Sequence, residues 1–329
     1  MMPRRTAALF LFLVSPLWAQ GTKVPATLAD LQRQYDDETE KAVRAVNEKR
    51  LKAIDGWLKA HPAKGDDRGT ALIAAAEVAS GLQKNAESAA YAQKYLEELP
   101  TGPARLQAGN LAGQGLLSLG KDAEAQKAFE AALEGAKPAD EVVEVVEALG
   151  LLHLKAGRKD EALKTYEQVE TIFGKGAASF VKGLKEGADK LFTAPPPLEA
   201  KDLEGKDLTW DRFKGKLVLL DFWATWCGPC VGEFPNVLRV YRKYHDRGFE
   251  VVGISLDKER EALDKFLKEK GAPWPQNFDG QGWQNAVAKK WGVQSIPATY
   301  LISPDGKIIR MNLRGPKLEQ VVAMNLPRK

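Results

Sequence analysis

The chain of 329 residues carries a formal net charge of +4 and has only two cysteines. That length accommodates two or three domains with ample cores. The charge is too mild and too dispersed to argue for nucleic acid. His61, His153 and His245 stand too far apart in sequence to complete a zinc site with one cysteine pair.

Residues 1–19 differ from everything after them. Arg4 and Arg5 precede an almost wholly apolar run, Ala7 to Val14, and Ser15-Pro16-Leu17-Trp18-Ala19 reads as a cleavage region. The composition predicts a secretory signal peptide over 1–19, cut after Ala19. An uncleaved N-terminal membrane anchor is the competing expectation, but the apolar core is short for a bilayer span. No cysteine lies near the segment to carry a lipid, and no later stretch of about 18 residues is continuously apolar. The mature protein is therefore expected to be soluble and periplasmic or secreted. Its cysteine pair would meet an oxidising compartment, where a reducing pair must be recharged by a partner.

Residues 27–192 are rich in Ala, Leu, Glu and Lys and read as helical. Thr27 is a candidate cap for a long charged helix running to Trp57-Leu58, with Leu28, Leu31, Tyr35, Ala42 and Val46 on one stripe. Gly113, Gly120, Ala125 and Phe129 are matched at identical offsets by Gly150, Gly157, Ala162 and Tyr166. The pattern resembles tetratricopeptide repeats, in which small residues let paired helices approach and an aromatic fills the interface. Segment 70–99 is a candidate degenerate third unit, although its aromatics fall out of register. A generic helical bundle is the plainer alternative. Such a region would scaffold, or recruit a partner on a concave face.

Pro195-Pro196-Pro197 cannot continue a helix, so residues 193–197 are expected to be a stiff linker. From 198 to 329 short strands alternate with helices. A turn at Gly205-Lys206, a helical turn over 210–214, a central strand over 217–223 and a helix from Cys227 to Tyr244 come first. A strand over 250–256, helices over 259–270 and 285–291, and strands over 298–303 and 307–311 joined at Pro304-Asp305-Gly306 complete the series. The predicted fold is multidomain: an all-α region followed by an α/β domain with a mixed sheet.

Trp226-Cys227-Gly228-Pro229-Cys230 holds both cysteines at the junction of an apolar strand and a helix. Unpaired N–H groups at a helix start stabilise a thiolate, and strand, C-x-x-C and helix in that order read as a redox pair. A purely structural disulfide is the alternative, but one closing so small a loop restrains the unfolded chain little.

Gly215 to Cys230, Glu233-Phe234-Pro235 and Ser295-Ile296-Pro297-Ala298-Thr299 together resemble the thioredoxin superfamily, in its exported TlpA/ResA-like branch. The resemblance covers about 198–325 and leaves the helical region outside. It implies an exported thiol–disulfide oxidoreductase with Cys227 as the exposed nucleophile, Cys230 as the buried resolving thiol, and a Cys227–Cys230 disulfide when oxidised. It implies a proton-transfer role for Asp221, an acid in an apolar strand, and tuning of the thiols by Glu233. Strand-end exposure of Asp221 and simple solvation of Glu233 are the plain alternatives. Trp226, Ile296 and a cis Pro297 would contact substrate, and Pro235 would kink the helix. Trp223, Trp274, Trp283 and Trp291 are expected to serve packing. Thioredoxins place a lysine near the buried aspartate; here Gly253 stands on the corresponding strand.

No cofactor or metal is implied. The implied partners are a disulfide-bearing protein client, for which apocytochrome c is one family expectation, and an electron-donor protein. Gly-Pro between the cysteines favours the reducing direction. A scaffold whose helical region recruits clients is the alternative function. A peroxidase is disfavoured because Thr225 alone does not supply the Thr and Pro arrangement such enzymes use, and a copper carrier lacks a nearby His or Met cluster.

Overall fold

The computed structural model describes residues 28–326. The expected signal peptide at 1–19 and the expected cap at Thr27 lie outside the described residues. Two compact units are present, Met1–Gly102 and Pro103–Lys329.

In the first unit, α1 (Leu28–Ala60), α2 (Asp66–Gly81) and α3 (Asn85–Glu98) pack in succession. Arg68 joins all three: it pairs with Glu98 at 2.8 Å and donates to the Leu58 and His61 carbonyls. Of the stripe read on α1, Tyr35, Ala42 and Val46 are exposed. α1 is buried at Leu51 and Leu58, near its contact with α2. Periodicity reveals an apolar face but not whether anything covers it.

The second unit begins with α4 (Arg105–Ser118), α5 (Asp122–Leu133), α6 (Asp140–Lys155), α7 (Lys159–Phe173) and α8 (Ala178–Ala188). Gly113 and Gly150 face Phe129 and Tyr166 so closely that any side chain at either glycine would overlap the ring. The residues after α8 do not leave the unit. Phe192 N donates to Ile308 O at 2.7 Å and Ile308 N to Thr193 O at 3.0 Å, and the Trp210 indole donates to Pro196 O. Lys317 also pairs with Glu147 of α6 at 2.6 Å. The break in compactness thus falls at Gly102/Pro103 rather than at the proline run, because the chain around that run is bonded to the sheet domain.

That domain opens with a small ladder, β1 (Ala200–Lys201) and β2 (Asp207–Leu208), either side of the Gly205-Lys206 turn. Its main sheet has the order β5-β4-β3-β6-β7. β3 (Leu217–Trp223) pairs in parallel with β4 (Phe249–Ser255), and β4 with β5 (Gln276–Asn277). β6 (Ala298–Ile302) runs antiparallel to β3 and to β7 (Ile308–Met311). The helices are α9 (Gly228–Tyr244), α10 (Arg260–Lys270), α11 (Ala286–Trp291) and α12 (Gly315–Asn325). This is a mixed-sheet thioredoxin fold behind a helical region.

β3 is apolar nearly throughout because it lies mid-sheet with both faces covered. On one face Trp223 meets Phe234 of α9 and Phe266 of α10; on the other Phe222 meets Trp291 and Tyr300. Asp221, two residues before Trp223, shares its face. β5 and α12 were not anticipated: β5 is two residues long, and α12 follows a segment with no strong helical period.

Candidate active site

The site forms where β3 ends. Ala224, Thr225 and Trp226 link that strand to α9, and a buried carboxylate holds the link. Asp257, just past β4, accepts from Thr225 N at 3.1 Å, from the Thr225 hydroxyl at 2.6 Å and from the Ser255 hydroxyl at 2.8 Å. Cys227 follows as the N-cap of α9, and its sulfur accepts from Cys230 N at 3.2 Å. Pro229 occupies the first turn, where its missing N–H has no helical partner to lose. Pro235 lies inside the same helix. Cys227 and Cys230 are joined as a disulfide.

Cys227 was expected to be exposed and Cys230 buried; the two are 6 % and 5 % exposed in the disulfide form. The exposure passes to the flanking Trp226, Gly228 and Pro229. Bonded one turn apart, both sulfurs face the same packed surroundings.

Asp221, Glu233, Arg314 and the Ile296-Pro297 loop meet beneath the disulfide end of α9. Ala298 pairs with Phe222, so Pro297 sits beside the C-terminal end of β3. The Ile296–Pro297 bond is cis, Pro297 is buried and Ile296 partly exposed. Arg314 donates to Pro297 O at 2.6 Å. Glu233 accepts from Gly315 N at 2.8 Å and from Asn236 at 2.5 Å, placing its carboxylate at the α12 N-terminus, where the helix dipole favours it. The Asp221 carboxyl is pushed up to about 7, chiefly by burial and further by the Glu233 carboxylate, with Arg314 opposing. A carboxyl of that kind exchanges protons near neutral pH.

Trp226 is 54 % exposed. Its ring lies 6.1 Å from that of Trp283, which is 43 % exposed. Trp283 therefore does not serve packing alone, whereas Trp223, Trp274 and Trp291 are buried as expected.

Residues 193–311 match the AhpC/TSA family. Thiol-disulfide oxidoreductase ResA of Bacillus thuringiensis subsp. konkukian is 36 % identical over 126 residues, 38 % of this chain and 71 % of that protein. ResA of Bacillus subtilis is 32 % identical over 130 residues, 40 % of this chain and 68 % of its own length. The chain belongs to the ResA-like thiol–disulfide oxidoreductases. The thioredoxin domain of a thiol-disulfide oxidoreductase from Bacteroides vulgatus is similar at 32 % identity, covering 40 % of this chain and 95 % of that one, with a TM-score of 0.38. The first helical unit and α4–α8 lie outside the matched residues 193–311.

Within this ResA-like domain, Arg314, Asp257 and Gln276 near the site escaped the sequence reading, and Trp283 was read only as packing. Arg314 stands just before Gly315-Pro316, a helix-start signal that was available. Asp257 follows an apolar strand as a strand-end acid. Gln276 sits beside Asn277 in Trp274-Pro275-Gln276-Asn277-Phe278, a stretch without a strand pattern to mark it. Trp283 had no signal, since periodicity does not distinguish a buried aromatic from an exposed one.

Proposed function

We propose that the protein is an exported reductase of protein disulfides that cycles between the Cys227/Cys230 dithiol and disulfide. The observation that carries this reading is the disulfide capping α9 above a carboxyl whose pKa lies near 7. In the reduced protein, the Cys227 thiolate attacks one sulfur of a client disulfide, and the other client sulfur leaves as thiolate. Cys230 passes its proton to the Asp221 carboxylate and attacks Cys227 sulfur. The client departs with the electron pair of the broken bond, so two electrons have moved from the cysteine pair to the client. Glu233 tunes the thiols from α9, and Trp226, Ile296 and cis Pro297 contact the client, with Ile296 offering strand-like backbone hydrogen bonds. An electron-donor protein restores the dithiol.

Export is supported by the composition of residues 1–19. Among the described residues, no helix is long and apolar enough to cross a membrane. The paired Gly113/Phe129 and Gly150/Tyr166 contacts support tetratricopeptide-like units, which would recruit the client; apocytochrome c is a client to test. Cys227→Ser should abolish insulin disulfide reduction, and unchanged turnover would end the enzyme reading. A reduction potential near the strong oxidants, about −120 mV, would reverse the direction of flow.

A further inference from the structure

Asp221, Gly253 and Gln276 form one row across the sheet. Asp221 of β3 is opposite Gly253 of β4, and Gly253 is opposite Gln276 of β5. Residues in register project to the same face. The Gln276 amide lies over Gly253 and fills the space that any side chain there would take. Gln276 is 3 % exposed, and its Oε1 accepts from Trp223 Nε1 at 2.9 Å, on the Asp221 face. That bond fixes which end of the amide is oxygen. The opposite end, Nε2, is buried with no hydrogen-bond partner. Buried donors are rarely left unpaired, and one that is calls for an explanation.

We infer that Gln276 is a positioning residue for the redox reaction: its Nε2, unpartnered among the protein groups, donates through one bridging water to the Asp221 carboxylate across Gly253. The inference rests on the proposed proton exchange between Asp221 and Cys230. The other charged groups facing Asp221 are Glu233 of α9 and Arg314 before α12. β4 offers only Gly253 in this row, and Thr299 of β6, in register with Asp221, directs its hydroxyl to Leu313 O. A neutral amide suits the task. It supports the carboxylate before the proton arrives from Cys230 Sγ, yet adds no positive charge that would suppress protonation. After the transfer, Cys230 sulfur bonds to Cys227 sulfur, the client thiolate leaves, and Asp221 later returns its proton to water.

A hydrogen bond to the charged form lowers a carboxyl pKa, so its loss raises it. Gln276→Met keeps a weak acceptor for Trp223, adds no charge and removes the donor; Gln276→Leu removes both. In the full chain, single-turnover release of a labelled peptide from its mixed disulfide with Cys227 is followed against pH. Both variants should move the apparent pKa of release upward by roughly half a unit to one unit. In an Asp221→Asn background they should move nothing further. Should Gln276→Leu fail to fold, the uncharged and similarly sized Gln276→Met gives the reading. Carbon-13 NMR titration of the Asp221 carboxyl separates the two proposals. If Asp221→Asn leaves the release profile unchanged, the proton role fails; an upward NMR shift in the uncharged Gln276→Met still supports the contact. An unmoved Asp221 titration in Gln276→Met overturns it.

Discussion

Two regions of this protein fill the space beside a glycine in opposite ways. In the helical region, the rings of Phe129 and Tyr166 occupy the positions that side chains at Gly113 and Gly150 would take. Both rings are buried, at 0 % and 2 % exposure. In the sheet, the amide of Gln276 takes the corresponding space at Gly253. A buried ring removes about 150–250 Å² from water and stabilises by a few kcal/mol. A buried amide gains little and needs partners for each polar atom. The first arrangement holds helices together; the second partners the Trp223 indole through Oε1 and leaves Nε2 for the inferred link to Asp221.

The contrast is broken most forcefully by removing a ring. Phe129→Ala should cost about 3–5 kcal/mol of stability by denaturant unfolding, while the reduction potential of the folded protein stays where it was. A shifted potential would mean that the helices feed into the redox site.

The next effect has the opposite sign. Burial holds the Asp221 carboxyl near 7, against an ordinary value of 3.8. The folded state therefore binds this proton more tightly than the unfolded state. The stability this gives is present in acid and is lost as pH rises between about 4 and 7; because Asp221 is partly exposed, the loss is smaller than the roughly 4 kcal/mol of a fully buried carboxyl. Asp221→Asn should be more stable than the parent at pH 8 and should flatten that slope, while slowing client release. If the variant is less stable at pH 8, the carboxylate is better supported than burial implies.

These sites were unequally legible in the sequence. Strand, C-x-x-C and helix are contiguous, and Ile296-Pro297 is a dipeptide, so local pattern sufficed for both. Gly253 could be noticed as a missing partner, but its replacement lies on β5, a strand of two residues brought alongside only by sheet register. Arg314 and Glu233 meet Asp221 from different helices. The apolar stripe of α1 was legible as a stripe, while its exposure depends on what packs there.

Asp257 sharpens the comparison from within the sheet domain, because its buried carboxylate is fully partnered where Gln276 is not. Asp257→Ala removes its bonds to Thr225 and Ser255. It should cost roughly 1–3 kcal/mol and slow turnover by loosening the Trp226-Cys227 approach. Asp257→Asn should recover most of the stability. Equal losses in both variants would point to charge rather than hydrogen bonding.

Trp283 gives the smallest effect and the most selective one. It lies exposed beside Trp226, so its ring is free on one side for a polypeptide but is not required to hold the fold. An aromatic contact of this kind contributes about 0.5–1.5 kcal/mol, which converts to roughly 2- to 12-fold in KM. Trp283→Ala should raise KM for a protein disulfide by that factor and leave kcat and the rate on a small-molecule disulfide unchanged. The separation matters more than the size. A small disulfide reaches Cys227 without covering the tryptophans, whereas a chain that pairs with the Ile296 backbone extends past them. Equal losses on both substrates would place Trp283 with the buried rings, as a residue that shapes the site rather than one that meets the client.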